Sequence, residues 1–397
     1  FTLVDEFQHW RTAQDILATH HLFTPNPLLP VSADFPGLEI LTTALSSLSG
    51  LSLFASGMVV VGIARALLML ALYLLFEQIT HSSRIAGLGT ILYMVNPLFL
   101  FFDAQFAYES LAIPLAVLAL YLWARAWRAP RGARRPWLIC AAVTVGAVGV
   151  THHLTAIALL ALLALWTLVA WRSSRAARRR RPRTVTATAI GAAALAMVTA
   201  GALAAAVRLG LLTYLALPLV RTVGSLAGIL TGATPMRQLF HDGAGTVAPL
   251  WERVVSIGAV LLLAVLVAYG LWFVARRHVH DTPALTLALA ALAYPAAQVL
   301  RLTPDGAEAA TRPLDLIFVA VAFSLSLGIV RLWPTHQPMP ARGALLIATL
   351  ALLFVGGVIA GSGPMWERLP GPYLPAADER SIDAPGIAAA TWTAAYL

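Results

Sequence analysis

The sequence predicts an all-α protein, a polytopic transmembrane helix bundle of about 10–11 spans with interfacial helices in its first outer loop. The 397 residues are 59% hydrophobic and only 11% charged, and their mean hydropathy is +0.79. A soluble domain carries about 25% charged residues, so this chain cannot cover a water-facing surface. The net charge of +9 is concentrated in short loops between apolar runs. Such a distribution orients membrane proteins, and it does not indicate nucleic-acid binding.

Residues 1–53 are predicted to form the outer loop that carries the interfacial helices. Asp5 to His21 fits an amphipathic helix on the membrane, and a proline-rich turn follows because proline ends helices. Residues 35–50 are apolar but shorter than the about 20 residues that a span requires, so we expect a second interfacial or half-inserted helix. Because Phe1 is not an initiator methionine, we expect an upstream span or signal-anchor to precede it.

Residues 54–361 are predicted to form the transmembrane bundle, and residues 362–397 to begin an extracytoplasmic C-terminal segment that is cut at Leu397. Each span is expected to be a helix, because a helix satisfies its backbone polar groups internally in lipid. The predicted spans are 54–79, 85–102, 110–127, 137–151, 154–171, 185–209, 247–275, 284–300, 314–333 and 344–361.

Basic loops alternate with loops that carry acids and histidines. Arginines cluster at 125–135, 172–183 and 276–277, and the positive-inside rule places these loops in the cytoplasm. The remaining loops and residues 1–53 must then lie outside. The acids and histidines sorted to the outer side in this way are Asp5, Glu6, Asp103, Glu109, His152 and His153.

Two acidic sites are candidates for catalysis. Asp5 and Glu6 are adjacent and His9 lies one turn further on, so the three share one neighbourhood on a helix. A carboxylate there can act as a general base toward an acceptor hydroxyl, although acids also favour helix N-termini because of the helix dipole alone. Asp103 lies in a short outer loop, where a second acid can assist the first or bind a metal or sugar hydroxyls. Charge is scarce in this chain, which favours function.

A further set of outer residues is predicted to bind substrate. The adjacent histidines can donate to a phosphate, or they can simply form a polar turn between two helices. Arginine suits phosphate or pyrophosphate, or it can anchor the chain at the interface. Residues 210–246 are polar and punctuated by glycine, which predicts a re-entrant or membrane-surface loop. The predicted substrate-binding residues are His9, Tyr108, Glu109, His152, His153, Arg237, His241, Arg301 and Arg312.

Motifs of soluble enzymes do not occur in the sequence. There is no G-x-G-x-x-G after a strand, no Walker loop, no C-x-x-C and no H-E-x-x-H, so neither ATP nor a nucleotide cofactor is indicated. This favours a lipid-linked substrate over a cytoplasmic nucleotide-sugar. The single Cys140 excludes a disulfide within the chain, and we expect it to be a small buried apolar residue.

The pattern resembles the GT-C superfamily of integral membrane glycosyltransferases, in particular the bacterial, family-39-like enzymes that depend on polyprenyl-phosphate sugars. Those families place a catalytic Asp or Glu in a large first outer loop, interfacial helices behind it, and a second acid in the next outer loop. Here Asp5–Glu6 looks like the first acid, residues 7–50 like the interfacial helices and Asp103 like the second acid. Arg312 is the best match to the arginine that holds the donor phosphate.

The resemblance implies an inverting displacement at the sugar C1, in which a carboxylate deprotonates the acceptor while the lipid phosphate leaves. It favours Asp5 over Glu6 as the base, because the superfamily's base is most often an Asp. It implies a polyprenyl-(pyro)phosphate-linked sugar donor, a lipid, glycan or protein acceptor, and membrane lipids as partners. Asp5–Glu6 is not the D-x-D of metal-dependent oligosaccharyltransferases, so the use of a divalent metal is left open.

The implied location is a bacterial plasma membrane, crossed several times, with the active site on the extracytoplasmic side. A composition rich in Ala, Leu, Arg and Gly is also typical of GC-rich bacterial genomes. Three alternatives remain. A secondary transporter would place charges near the bilayer midplane. A lipid-linked glycan polymerase or ligase would rely on Arg221, Arg237, His241 and Arg312. A membrane scaffold would carry these residues without catalysis.

Overall fold

The computed structural model describes residues 4–100, 102–178, 211–241, 247–304, 306–332, 340–359 and 384–396. Its regular structure in these ranges is helical. The first seven helices are α1 (Val4–Thr19), α2 (Gly37–Ser49), α3 (Leu53–Thr80), α4 (Ser83–Tyr93), α5 (Tyr108–Arg128), α6 (Arg134–Thr151) and α7 (His153–Arg178). The later helices are α8 (Leu211–Leu230), α9 (Leu250–Arg277), α10 (Thr282–Ala290), α11 (Ala293–Leu300), α12 (Gly306–Thr311), α13 (Leu314–Leu332), α14 (Pro340–Phe354) and α15 (Ala384–Tyr396).

Seven of the described helical stretches are long and apolar enough to cross a membrane. They make the chain a multi-pass membrane protein, as the sequence predicted. Exposed apolar side chains such as Ile63, Leu70 and Leu261 point away from the bundle, as residues that face lipid do. The seven candidate spans are 53–80, 108–128, 131–151, 153–173, 250–277, 282–300 and 314–331.

The core of the bundle lies between α3, α4, α5 and α13. The Phe76 ring on α3 packs against Phe323 on α13 with their centroids 5.7 Å apart, and both side chains are fully buried. Gly89 on α4 lies against the Phe76 ring, where a Cβ would collide with it. Small residues at such positions let helices approach closely in a membrane.

The first two helices pack against each other and against one end of the bundle as a unit. Asn26 holds the turn between them, since its side-chain amide donates to Thr12 Oγ1 at 3.2 Å and its carbonyl oxygen accepts from the Leu28 backbone N–H at 3.1 Å. Helix α2 ends at Gly50, whose φ of +73° is a conformation that glycine adopts easily. The N-terminal turn of α2 meets the end of α6, where Gly37 lies directly against Thr151. This unit is therefore fixed to the bundle.

The second predicted span, 85–102, is helical only as far as Tyr93. Residues 94–107, which we call the linking segment, continue as turns and one short 3₁₀ helix. Pro97 explains the break, because a proline disfavours the α conformation of the residue before it. Asn96 then accepts the Leu98 N–H through its side chain at 3.2 Å. The linking segment then carries the chain from the end of α4 to the start of α5 at Tyr108.

Two further predictions differ from the structure. Residues 211–230 of the predicted loop form helix α8, because this part is apolar and its glycines do not interrupt the helix; the turn begins only at Thr231 and contains Gly232 at φ +74°. Cys140 is exposed rather than buried, since an apolar environment is available to it on the lipid-facing side of α6. The predicted span 185–209, the arginines beyond residue 178 and most of the tail from 362 lie outside the described residues.

The acids of the candidate site and the arginines near residues 128 and 277 lie at opposite ends of the bundle. Helix α5 begins beside Glu109 and ends at Arg128, and its 21 residues rise about 30 Å. At the arginine end, Arg128 pairs with Asp281 at 3.1 Å and donates to the Ile79 carbonyl at 2.7 Å. It thereby joins the ends of α3 and α5 to the turn before α10. The other end of the bundle carries the candidate site.

Candidate functional site

Helix α1 directs its acids in two directions. Glu6 and His9 are three residues apart and therefore share one face, and both are buried against the bundle. Asp5 lies four residues before His9 and is exposed. The packing of α1 on the bundle thus separates the two adjacent carboxylates, burying Glu6 in the protein and leaving Asp5 exposed.

Glu6 holds the linking segment. Its Oε1 accepts the backbone N–H of Phe106 at 2.7 Å, and only 5% of its side chain is exposed. The Phe106 ring is itself buried beside Gly57 on α3. A carboxylate that accepts a buried backbone N–H makes a strong, charge-assisted hydrogen bond. This bond fixes α1 to the chain between α4 and α5.

His9 and Glu39 form a buried pair between the two surface helices. His9 Nδ1 lies 2.6 Å from Glu39 Oε1, and the two side chains are 1% and 0% exposed. Burial alone would lower the pKa of His9, but the Glu39 carboxylate and its hydrogen bond outweigh burial, with smaller contributions from Glu109 and Asp5, and the pKa is raised. The protonated imidazolium is therefore favoured, and it lies among three acids.

Tyr108 connects this pair to the two histidines at the junction of α6 and α7. Its ring meets His9 edge-on with the centroids 4.4 Å apart, and it stacks on His152 at 4.3 Å with 20° between the planes. The rings of His153 and Phe35 have their centroids 5.0 Å apart, and Phe35 lies in the turn before α2. The aromatic contacts therefore bring α1, α2, α5 and the start of α7 to one place.

His152 also contacts an acid at the start of α5. Its Nε2 lies 3.3 Å from Glu109 Oε1, and its Nδ1 lies 2.8 Å from Thr155 Oγ1. Burial lowers the pKa of His152 well below its usual value, and nearby His153, His9 and Arg312 lower it further. A neutral imidazole is thus favoured here, in contrast to His9. The adjacent histidines are both buried at this junction and do not form an exposed polar turn.

Asp103 is a deeply buried member of the linking segment. Its side chain is 2% exposed, and neither carboxyl oxygen has a hydrogen-bond donor within the described part of the chain. The acid that acts most strongly on it is Asp315 in the first turn of α13, which accepts from the Asn96 amide at 2.5 Å. Burial raises the pKa of Asp103 well above its usual value, the Asp315 carboxylate raises it further, and Arg65 lowers it in part.

The predicted arginines form a separate, more open group. Arg301 donates to Thr311 Oγ1 at 3.0 Å, and the Arg237 backbone N–H donates to the Leu302 carbonyl at 2.9 Å. His241 is exposed and contacts the Leu239 carbonyl at 3.1 Å. Arg312 is exposed at the start of α13, close enough to the histidine pair to act on the pKa of His152. Arg312 is therefore the arginine of this group that borders the buried residues Glu6, His9, Glu39, Glu109 and His152.

Three buried residues in or beside the candidate site were not assigned to it by the sequence analysis. Glu39, Asn96 and Asp315 are all buried and each binds a predicted site residue or the linking segment. A glutamate inside an otherwise apolar helix was the available signal for Glu39. Asn96 and Asp315 are 219 residues apart in sequence and meet only through the fold. Within the described ranges, no group of three or more His, Cys, Asp or Glu side chains is arranged to hold a metal ion.

Residues 36–199 match the family described as dolichyl-phosphate-mannose-protein mannosyltransferase. Among solved structures, the chain is similar to the archaeal oligosaccharyltransferase AglB from Archaeoglobus fulgidus in complex with an inhibitory peptide and a dolichol-phosphate, with 15% identity, a TM-score of 0.54, and coverage of 98% of this chain and 55% of AglB. It is also similar to ArnT from Cupriavidus metallidurans bound to undecaprenyl phosphate, with 16% identity, a TM-score of 0.55, and coverage of 92% of this chain and 62% of ArnT.

The chain spans less than two thirds of the length of either of these proteins. No protein of curated function matches it in sequence. At such low identities the likeness concerns the fold, and in both cases it extends over nearly the whole of this chain. These similarities show that the chain is a multi-pass membrane protein with the helical fold of AglB and ArnT, and that residues 36–199 are similar to the dolichyl-phosphate-mannose-protein mannosyltransferase family.

Proposed function

We propose that the protein is a membrane glycosyltransferase that moves a sugar from a polyprenyl-phosphate or pyrophosphate donor to an acceptor on the extracytoplasmic side of a bacterial plasma membrane. The observation that carries the proposal is the cluster of Glu6, His9, Glu39, Glu109 and His152 at the end of the bundle opposite the arginine loops. Ionisable residues this deeply buried at a membrane interface are costly and tend to serve a function.

The donor class follows from the location of the site. A polyprenyl phosphate is held in the bilayer by its chain, so its head group reaches a site at the end of the membrane spans and not one in the cytosol. AglB and ArnT have been solved with dolichol-phosphate and undecaprenyl phosphate respectively. Arg312 is exposed beside His152 and supplies the positive charge that a leaving phosphate requires. The acceptor is a lipid, a glycan or a protein.

Asp5 is the preferred base in this proposal. Its carboxylate is exposed, whereas Glu6 is buried and accepts the Phe106 N–H. Asp5 takes the proton from the acceptor hydroxyl, and the hydroxyl oxygen forms a bond to the sugar C1. The C1–O bond to the lipid phosphate breaks, its electron pair stays on the phosphate, and the configuration at C1 inverts. Glu6, His9 and Asp103 position the helix and the linking segment next to Asp5.

The test uses the full chain in detergent or liposomes with undecaprenyl phosphate that carries a labelled hexose or pentose. Release of undecaprenyl phosphate is measured for the wild type and for Asp5→Asn, Arg312→Ala and Arg237→Ala. We expect Asp5→Asn to lower turnover about 100-fold or more, as loss of a general base does, with donor binding retained. Arg312→Ala should weaken donor binding. Asp15→Asn, an exposed acid on the same helix, is the matched control.

The same variants distinguish the alternatives. Full activity in Asp5→Asn together with loss in Arg237→Ala would favour the lipid-linked glycan polymerase or ligase and contradict the proposed base. A wild-type protein that neither binds nor consumes either donor would contradict the transferase itself. Directional uptake of a solute by liposomes containing the protein would favour a transporter.

A further inference from the structure

We infer that Asp103 and Asp315 share one proton and together act as a positioning pair, which fixes the linking segment and through it the catalytic face of α1. The inference rests on the proposed function for its catalytic consequence, but the pair itself is argued from buried contacts alone. Neither residue is proposed to touch the substrate, because their side chains are only 2% and 3% exposed.

Asp103 and Asp315 differ in the hydrogen-bond donors that surround them. Two carboxylates can only accept hydrogen bonds, so they cannot bond each other unless one of them is protonated. Asp315 accepts from the Asn96 amide at 2.5 Å, whereas neither Asp103 oxygen receives a donor from the described residues. The two side chains nevertheless lie within hydrogen-bond reach of each other. A proton between them satisfies Asp103 and removes the repulsion of two buried charges.

Titratable and charged groups face the pair from helices α3, α4 and α5. On α3, Arg65 lies near Asp103, but its guanidinium donates to the Phe99 carbonyl at 2.9 Å and lies over the Phe99 ring at 4.4 Å. On α4, Tyr93 faces both acids with its phenol, and on α5, Glu109 adds a further acid. Arg65 is thus the cation that acts on Asp103, and its guanidinium is already bound to the Phe99 carbonyl.

The linking segment is bound to three helices, near its start, within it and near its end. Asn96 near its start binds Asp315 on α13, the Phe99 carbonyl binds Arg65 on α3, and the Phe106 N–H near its end binds Glu6 on α1. Asp103 lies on the segment three residues before Phe106. If Asp103 and Asp315 were both charged, they would push the segment away from α13. That displacement would move the backbone group that Glu6 binds, and Asp5 is the next residue along α1.

The experiment measures the melting temperature of the full-length protein in detergent from about pH 4 to about pH 8, a range that starts near the ordinary pKa of an Asp. A raised pKa in the folded protein means that stability is greatest at low pH and is lost as the pH rises. Asp103→Asn mimics the protonated pair, because its amide donates to Asp315 without a titrating proton. We expect this variant to lose that part of the pH dependence and to melt above the wild type at high pH. Asp315→Asn should behave alike, and Asp15→Asn should follow the wild type.

A second measurement keeps the inference testable if a variant does not fold. The infrared spectrum of the wild type near neutral pH should contain the carbonyl band of a protonated, buried carboxylic acid, and either Asn variant should lack it. The inference is wrong if the wild type lacks this band, or if both Asn variants melt with the wild-type pH dependence. If donor transfer is established, Asp315→Asn should shift the pH profile of kcat with little change in KM. Absence of transfer in the wild type would refute the proposed function and leave the spectroscopic and melting results unaffected.

Discussion

The two ends of the bundle treat charge in opposite ways. At the acidic end, Glu6, His9, Glu39 and Asp103 are each at most 5% exposed, and Glu6, His9 and Glu39 are bound to protein groups. At the arginine end, Arg128 and Asp281 are each 27% exposed, and an open cleft of ≈ 510 Å³ lies beside them. Charge that only orients a membrane protein can remain solvated at the interface. Charge that the protein buries against itself must instead be matched group by group.

This difference predicts that substitutions at the acidic end are far more costly than substitutions at the arginine end. The expected effects can be ranked from the most deeply buried pair to the most exposed one. All of these stability measurements use the full-length chain in detergent, so that both ends of the bundle are compared in one environment.

The largest effect is expected for Glu39→Ala. This change leaves the His9 imidazolium buried without its partner, and breaking a buried ion pair by removing one member costs about 3–5 kcal/mol. The free energy of unfolding should fall by that amount in denaturant titrations. Glu39→Gln keeps an acceptor for His9 and should recover part of the loss. An unchanged stability in Glu39→Ala would show that His9 is neutral and not paired.

Glu6→Ala is expected to have the next largest effect. It leaves the Phe106 N–H buried without an acceptor, which costs about 1.5–3 kcal/mol for a hydrogen bond to a charged group. The neighbouring Asp5→Ala removes an exposed carboxylate and should change stability little. Equal destabilisation by the two variants would contradict the burial of Glu6 and the exposure of Asp5.

The pH dependence of stability should also differ between the ends. Because the pKa of His9 is raised, the stabilisation from its pairing is fully present below about pH 6.5 and is lost as the pH rises through the raised value. The melting temperature should therefore decrease above that pH, and Glu39→Gln should weaken the decrease. A melting temperature that increases over this range would reverse the sign and refute the pairing.

Arg128→Ala should cost about 1 kcal/mol, because its ion pair is partly solvated although its guanidinium also binds the Ile79 carbonyl. The control is Arg277→Ala, an exposed arginine beside the same cleft. A loss in Arg128→Ala as large as that in Glu39→Ala would remove the contrast between the two ends.

Asp15→Asn is expected to have the smallest effect. Its pair with Arg11 spans 4.0 Å, and the two side chains are 38% and 47% exposed. Exposed pairs one helical turn apart contribute about 0.3–0.5 kcal/mol, and raised salt should remove even this. Measurements of the variant at low and high salt check the prediction. A salt-independent loss would show that Asp15 has a structural role.

Much of the candidate site could be predicted because the signals were local or additive. The helical character of residues 4–19 and 37–49, the spans, and the sorting of arginines from acids depend on composition and periodicity within short windows. The linking segment was missed because its residues are as apolar as a span, and Pro97 was the sign of the break. Helix α8 was missed because glycine was given more weight than the apolar residues around it.

By itself, the sequence determined that this is a multi-pass helical membrane protein whose candidate site acids and histidines lie opposite the arginines near residues 128 and 277. It could do so because hydropathy and charge act along the chain. Only the tertiary structure decided that Glu6 faces inward and Asp5 outward, that Glu39 pairs with His9, and that Asp103 meets Asp315. These contacts join residues 30 to more than 200 positions apart, and only the packing of helices decides which buried charges find each other.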